Sequence, residues 1–296
     1  MKRSRYVVMT AAKNEERYIE TAIESVLRQT CRPAAWFIMD DGSTDRTAEI
    51  VAAHAARHPF IHLLSTPAGA TRSFGAQYRA IDAAYTIAST TLPFDFVAMQ
   101  DADIELPQAD YYSQLLALFA SEPPLGVSGG YIHERAGTAW KCRPSNSPQA
   151  VAGGIQMFRR TCFDAIGGYK PLAFGGEDWL AQLDAASLGW AVRPMLQLPV
   201  HHHRPTSTAD GRTRGLFRMG MRDASFGSHP VFELLKCLRR AGERPYLCGS
   251  AIRYAGYTWY SLTRSGPVIP ANRVDQLRAG QVARMLPRRL QPPLRA

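Results

Sequence analysis

The sequence predicts an α/β protein: a mostly parallel sheet with helices on both faces, followed by a basic, mainly helical C-terminal extension. Three observations carry this reading. Four strand–helix units follow one another before residue 125, acidic clusters stand where strands end, and the charge changes sign along the chain. From His201 onward there are 17 Lys and Arg against 5 Asp and Glu, a balance of +12, which leaves −2 for the first 200 of the 296 residues. A composition that is 46% hydrophobic and 20% charged excludes disorder, collagen and coiled coil. No stretch approaches the ~18 uninterrupted apolar residues of a spanning helix, which excludes a polytopic membrane protein.

Tyr6–Ala12 (YVVMTAA) is a short apolar run that Lys13 and Glu15 end, with no small-residue cleavage site after it, so it reads as a first strand and not a signal peptide. Ile19, Ala22, Ile23, Val26 and Leu27 recur at helical spacing and predict a helix over Glu15–Gln29. Ala35–Met39 is a second strand, stopped by Asp40 and Asp41. Ser43 or Thr44 is the expected N-cap of the next helix, which carries Ala48, Ile50, Val51 and Ala55. Ile61–Ser65 is a strand, Phe74–Ala88 a helix, and Phe94–Met99 a strand closed by Gln100–Asp103. Pro107 suits the first turn of a helix through Leu115, Leu116 and Phe119. Such a succession argues for a parallel sheet, in which ligands bind beyond the carboxyl ends of the strands.

After Leu125 the pattern becomes α+β. Gly126–Glu134 and Val151–Phe158 read as strands around a Pro- and Ser-rich loop. Gly175 and Gly176 precede a helix through Leu180, Leu183 and Ala186 that Gly189 ends, and Ala191–Val200 is a last strand entering His201–His203. The five cysteines form no CxxC pair and are odd in number, which suits free thiols in a reducing cytoplasm.

The strand-end carboxylates are the main chemical clue. Asp101-Ala102-Asp103 is a D-x-D triplet directly after an apolar strand. Two carboxylates at such an edge repel unless a cation sits between them. Hydrated Mg2+ or Mn2+ takes one or two carboxylates and completes its shell with waters and phosphates. Asp40-Asp41 repeats the arrangement one strand earlier, where an aspartate accepts hydrogen bonds from a base or ribose; an Asx turn with a helix cap is the structural alternative. Of three contiguous strand histidines at most two share a face, and a neutral imidazole there completes the coordination of a metal held by Asp103. Glu177-Asp178 opens a helix, which the helix dipole favours; an ionised Asp there also suits a general base.

The run Thr10–Glu16 (TAAKNEE), with Tyr18, Ile19, Ser25, Gln29 and Thr30, resembles the opening of family 2 glycosyltransferases. The Asp40–Ser43 cluster, the D-x-D at 101–103 and Gly176-Glu177-Asp178 follow in that family's order and spacing, over about residues 6–205. The resemblance implies a GT-A fold, a nucleotide-sugar donor, Mg2+ or Mn2+ as cofactor, and transfer with inversion. It implies that Asp40 or Asp41 contacts the nucleobase, that Ala11, Ala12 and Glu15 line the nucleoside pocket, and that Asp101, with Ala102 beside it, reaches the ribose. Asp103 then holds the metal, Arg72 lies near the diphosphate, Asp178 is the base, and Glu177 and Gly154 stand on the acceptor side. His202-His203-Arg204-Pro205 is similar to the His-x-Arg pattern of bacterial exopolysaccharide-type members, which favours His202 as a metal ligand. The family's common Arg-Asn pair is Arg72-Ser73 here.

The expected organisation is a catalytic domain over 1–205, with a nucleotide-binding half (1–104) and an acceptor half (105–205), and a basic extension over 206–296. Tyr246–Leu262, rich in Tyr and Trp, and the arginines at 284, 288, 289 and 295 suit either an anionic membrane surface or, for the helix, packing on the catalytic domain. A glycan or lipid-linked acceptor, and action on the cytoplasmic side, fit that arrangement. A nicotinamide dehydrogenase is disfavoured because the first turn reads Ala11-Ala12-Lys13-Asn14-Glu15-Glu16 and not G-x-G-x-x-G. A nucleotidyltransferase would carry a glycine-rich loop there. A nucleic-acid-binding role for the basic third lacks any zinc-ligand spacing or RNA-binding signature.

Overall fold

Strand β1 (Tyr6–Ala12) is buried at every position but Ala11, because helices cover the sheet on both faces. The structure is a computed structural model that describes residues 5–65, 74–204, 211–242, 245–264 and 266–285. The chain forms two units, Met1–Pro205 and Thr206–Ala296.

In the first unit β1 is followed by α1 (Ile19–Leu27), β2 (Ala35–Asp40), α2 (Thr47–Ala55), β3 (Ile61–Ser65), α3 (Phe74–Thr91) and β4 (Phe96–Met99). Then come β5 (Ile104–Glu105), α4 (Tyr111–Ser121), β6 (Leu125–Ala136), β7 (Ala139–Cys142), β8 (Met157–Arg159), α5 (Arg160–Ile166), α6 (Glu177–Ser187) and β9 (Ala191–His202). The strands make one sheet in the order β3-β2-β1-β4-β8-β6-β9-β5, with β7 paired to β6. The first four are parallel. β8 runs antiparallel between β4 and β6, while β6 and β9 are parallel. Strand order reverses at β1, with β2 on one side and β4 on the other. The crevice beyond the carboxyl ends of these strands is therefore the switch point at which such sheets bind ligands.

The interior ties this edge together. Trp36 is fully buried and its Nε1–H donates to Thr10 Oγ1 at 2.9 Å, while the Thr10 hydroxyl donates to the Gln100 carbonyl at 2.7 Å. Gln100 Oε1 accepts from the Tyr112 hydroxyl. Buried polar groups are thus paired across β1, β2, β4 and α4, as burial requires.

Several boundaries differ from the expectation. α1 begins at Ile19 and not near Glu15, because Asn14 takes a left-handed φ of +56° and the Glu15 carbonyl closes a turn by accepting from Tyr18 N–H. Neither Ser43 nor Thr44 caps α2; Asp45 Oδ1 accepts from Thr47 N–H at 3.0 Å instead. Pro107 precedes α4 outside its first turn. Most of Val151–Phe158 is not strand: a 3₁₀ turn at Gly153–Ile155 precedes the three-residue β8. Its apolar residues Val151 and Ile155 are buried without pairing, which periodicity alone does not distinguish from a strand.

The second unit contains α7 (Arg212–Ser225), α8 (Pro230–Arg239), α9 (Cys248–Thr263) and α10 (Ala271–Met285). α7 and α9 cross at backbone distance through Gly220 and Gly256. A Cβ on Gly220 would lie 2.7 Å from Tyr257 N and still nearer the Arg253 carbonyl. Arg253 is buried beside this crossing, 2.5 Å from Asp223 and 3.3 Å from Glu233, and Lys236 joins both carboxylates at 3.0 and 2.6 Å. The Tyr246–Leu262 segment, for which a membrane surface or the catalytic domain stood as alternatives, thus packs its inward face on α7. Arg288, Arg289 and Arg295 lie outside the described residues. Among the described residues no helix is long and apolar enough to cross a membrane.

Candidate active site

The turn after β1 is stitched to the loop after β2. Asn14 N–H donates to Ser43 Oγ at 2.9 Å and Asn14 Oδ1 accepts from Thr44 N–H at 2.8 Å. Glu15 N–H donates to Thr47 Oγ1, and Glu16 exchanges backbone and side-chain bonds with Asp45 and Arg46. Asn tolerates the left-handed conformation at this turn, so a single residue both bends the chain and fastens the two loops. Between them, Asp40 is buried and accepts from Ser43 N–H at 3.2 and 3.3 Å, and Asp41 N–H donates to the Ala12 carbonyl. Lys13 Nζ stands 3.5 Å from Asp41. The loop geometry expected of an Asx turn is present, with both carboxylates at the crevice.

Asp101 follows β4. Its N–H donates to the Gly154 carbonyl at 3.0 Å, and Gln77 Nε2 donates to its carboxylate at 3.2 Å. Burial and the nearby Asp103 and Asp178 carboxylates push Asp101 up to about 6, against His202 and Gln77. Gly153 and Gly154 thread the chain between Asp101 and Asp178. A Cβ on Gly154 would fall 2.8 Å from the Asp101 carboxyl carbon, and one on Gly153 would fall 2.8 Å from an Asp178 carboxylate oxygen. Gly175 and Gly176 take φ of +81° and +101°, which side chains rarely adopt, and deliver Glu177 and Asp178 to the start of α6. The Asp178 carbonyl accepts from the amides of Gln156 and Gln182 at 3.1 and 3.0 Å. Glu177 Oε1 accepts from Leu172 N–H, its other oxygen is buried without a partner, and burial raises its carboxyl.

The three histidines alternate as a strand demands. His202 Nε2 lies 3.4 Å from Asp103, and its Nδ1 lies 3.5 Å from Glu134. Although burial opposes charge on this ring, Asp103 and Glu134 push it up to about 9. His201 and His203 turn instead to Glu105, at 3.6 and 3.0 Å, and Trp140 stacks on His201. Arg204 pairs with Glu15 and reaches Asp103 at 3.7 Å, so it joins the β1 turn to the D-x-D triplet.

Among the described residues no three acidic, His or Cys side chains converge on one point. The donor set here is the Asp103–His202 pair with Asp101 nearby. Mg2+ and Mn2+ fit such a set, since they keep several waters and take their remaining oxygens from phosphates. One observation accords with a cation: burial and the neighbouring Asp103 and Asp178 carboxylates raise Asp101, a strain that a positive charge there would relieve.

The described residues expected at the catalytic site all lie in the first unit: Ala11 and Ala12 at the end of β1 and Glu15 after it, Asp40 at the end of β2 and Asp41 after it, Asp101–Asp103 after β4, Gly154, Glu177, Asp178 and His202. Arg72 lies outside the described residues. Sequence reasoning missed Gln77, Glu134, Gln156, Gln182 and the bridging role of Arg204. It also missed Arg143, whose guanidinium burial disfavours while Glu134, Asp178 and Asp101 favour its charge. These residues carry no local pattern; only the helix position of Gln182, one turn after Asp178, was readable.

An α/β sheet with carboxylates at its switch point and after β4 is the arrangement expected of a GT-A glycosyltransferase. Residues 7–175 match the family model described as glycosyl transferase family 2, more than half of the chain, and the chain belongs to that family. Among solved structures, the mannosyltransferase PcManGT from Pyrobaculum calidifontis, in complex with GDP-Man and Mn2+, is similar at a TM-score of 0.59 and 17% identity, over 97% of this chain and 82% of that one. TarS 1-349 from S. aureus with UDP-GlcNAc is similar at a TM-score of 0.55 and 12% identity, over 97% and 78%. The same protein with UDP gives 0.54 and 14%, over 73% and 65%. No curated protein matches the chain in sequence.

Proposed function

We propose that this glycosyltransferase moves a sugar from a nucleotide-diphosphate donor to a hydroxyl of a glycan or lipid-linked acceptor, with inversion at the sugar carbon. The observation that carries this reading is the Gly153–Gly154 turn, with Asp101 packed against one glycine and Asp178 against the next. One carboxylate belongs to the strand-end cluster that meets the donor, the other to a separate helix facing the acceptor. Inversion needs a base on the side of the sugar opposite the leaving diphosphate, and Asp178 is the carboxylate assigned to that side.

In this reading Asp40 or Asp41 accepts from the nucleobase, Ala11, Ala12 and Glu15 line the nucleoside pocket, and Asp101 accepts from the ribose beside Ala102. Arg72 supports the diphosphate. Asp103 and His202 hold Mg2+ or Mn2+, which when bound offsets charge on the departing diphosphate. Asp178 accepts the proton of the acceptor hydroxyl, and the paired amides of Gln156 and Gln182 hold its backbone in place. Glu177 and Gly154 shape the acceptor side. Residues 1–104 serve the nucleotide and 105–205 the acceptor. The neighbours' GDP-Man, UDP-GlcNAc and Mn2+ complexes support a nucleotide-sugar and a divalent metal. The free-thiol cysteine pattern supports work in the cytoplasm, and a lipid-linked acceptor would bring it to a membrane surface.

The test is a thermal-shift panel of UDP, GDP, dTDP, CDP and CMP with and without Mn2+. One nucleoside diphosphate should stabilise the chain only with metal, by about 2.7 kcal/mol at a hundredfold excess over its dissociation constant, and Asp103→Ala should abolish the shift. Asp178→Asn should keep the shift and lose transfer by about 10²–10⁴-fold. No shift with any nucleotide, or full transfer by Asp178→Asn, would overturn the proposal.

A further inference from the structure

Helix α8 is built inside out. Its buried side carries Glu233 and Cys237, with Lys236 beside them in the ion network of Asp223 and Arg253. Its apolar side faces outward: Val231, Leu234, Leu235 and Leu238 are 51, 41, 48 and 62% exposed. These positions follow i, i+3, i+4 and i+7, so at about 100° per residue they form one stripe along the helix. A helix of a soluble domain normally turns that stripe to its core. Here the core side is polar because it must pair the buried Arg253, and among the described residues the aliphatic stripe is left exposed. Tyr246 and Leu247, just ahead of α9, are exposed as well.

The geometry points to this stripe as a docking surface for an anionic lipid bilayer. Charge complementarity chooses the occupant: residues 206–296 carry 16 Lys and Arg against 5 Asp and Glu, and basic residues are drawn to an anionic leaflet. Arg239 is exposed at the end of α8, directly after Leu238. The helix has 10 residues, about 15 Å at 1.5 Å per residue, half the thickness of the hydrocarbon layer. It therefore lies along the interface, with its leucines in the acyl boundary and its basic neighbours at the headgroups. Tyr246 beside it is a residue type that favours the same depth. This deepens the membrane placement proposed above by naming its surface, yet uses no residue of the catalytic cleft.

The experiment is co-sedimentation of the full chain with vesicles of phosphatidylcholine alone or mixed with phosphatidylglycerol, set against the variant Leu234→Ser, Leu235→Ser, Leu238→Ser. The parent should partition onto the mixed vesicles, and the triple variant should lose about tenfold or more of that partition with an unchanged melting temperature. Several results overturn the inference. The parent fails to bind mixed vesicles, or both proteins bind equally, so that charge alone suffices. A concentration-dependent dimer of the parent that the variant lacks would assign the stripe to a second copy. A lowered melting temperature would mean the stripe is covered within the chain. In a further variant, Leu235→Trp, the added fluorescence should be quenched by brominated acyl chains; no quenching also overturns it. The nucleotide-dependent thermal shift is read on the same samples, so failure of donor binding and failure of docking are separate results.

Discussion

Gly154 meets Asp101 twice: its carbonyl accepts the Asp101 N–H at 3.0 Å, and a methyl on its Cα would fall 2.8 Å from the Asp101 carboxyl carbon. Gly153 stands in the same relation to Asp178, where a Cβ would lie 2.7 Å from the Asp178 Cβ. Two adjacent residues without side chains thus set the spacing of two carboxylates that come from distant parts of the chain.

The two glycines should separate by kinetics. Gly154→Ala displaces Asp101 and should weaken the nucleotide-dependent thermal shift together with donor KM. Gly153→Ala displaces Asp178 and should keep donor binding while kcat falls by about 10²-fold, the scale of a misplacement near 1 Å. Each overpacks a closed site and should cost about 1–3 kcal/mol in a denaturant melt.

Gln182 ties the backbone of Asp178 to Val151. Its Oε1 accepts Val151 N–H at 2.7 Å, and its amide donates to the Val151 and Asp178 carbonyls at 3.0 Å each. Gln182→Leu leaves the buried Val151 N–H unpaired, at a cost of about 1–3 kcal/mol. Steady-state assays should show a lower kcat with donor KM unchanged, because Gln182 acts on the base through its backbone.

Thr10→Val keeps shape but removes the hydroxyl that joins Trp36 to the Gln100 carbonyl. Two buried groups lose their partner, and a urea melt should show a loss of about 2–4 kcal/mol. Nucleotide binding should weaken in parallel, since Asp101 directly follows Gln100.

In the second unit, burial opposes ionisation of Asp223, yet Lys236, Arg253 and Arg222 hold its carboxyl well below the usual range. A group whose folded pKa is depressed contributes stability that is complete above its unfolded value, about 4, and is lost as pH falls toward the folded value. Asp223→Asn should therefore destabilise the protein by about 3–5 kcal/mol at pH 7 by leaving buried cations short of a partner. The gap between parent and variant melting temperatures should hold from neutral pH to about pH 5 and narrow progressively as pH falls below about 4; a gap that stays constant below about pH 4 would count against the ion network.

The strands and their acidic ends were legible because each depends on local chemistry. β1, β2 and β4 are short apolar runs; Asp40 ends β2 with Asp41 next, and Asp101 and Asp103 lie within four residues of the end of β4. The start of α1 was not legible, since the left-handed Asn14 is held by Ser43 and Thr44 of another loop. The stretch before β8 also misled. Val151 and Ile155 are apolar because they are buried, not because they pair, and hydrophobic pattern reports burial before it reports conformation.

By itself, the sequence determined the α/β alternation, the family, and the order of the carboxylates along the chain, all properties of short segments. Tertiary structure alone decided which groups meet. His202 faces Asp103 while His201 and His203 turn to Glu105, because strand alternation tells faces apart without naming them until β9 pairs with β5. Arg204 joins Glu15 from 189 residues away. The apolar stripe of α8 is exposed because its opposite side is needed to pair the buried Arg253. A helical pattern states that two faces differ; packing against the rest of the unit states which one meets solvent.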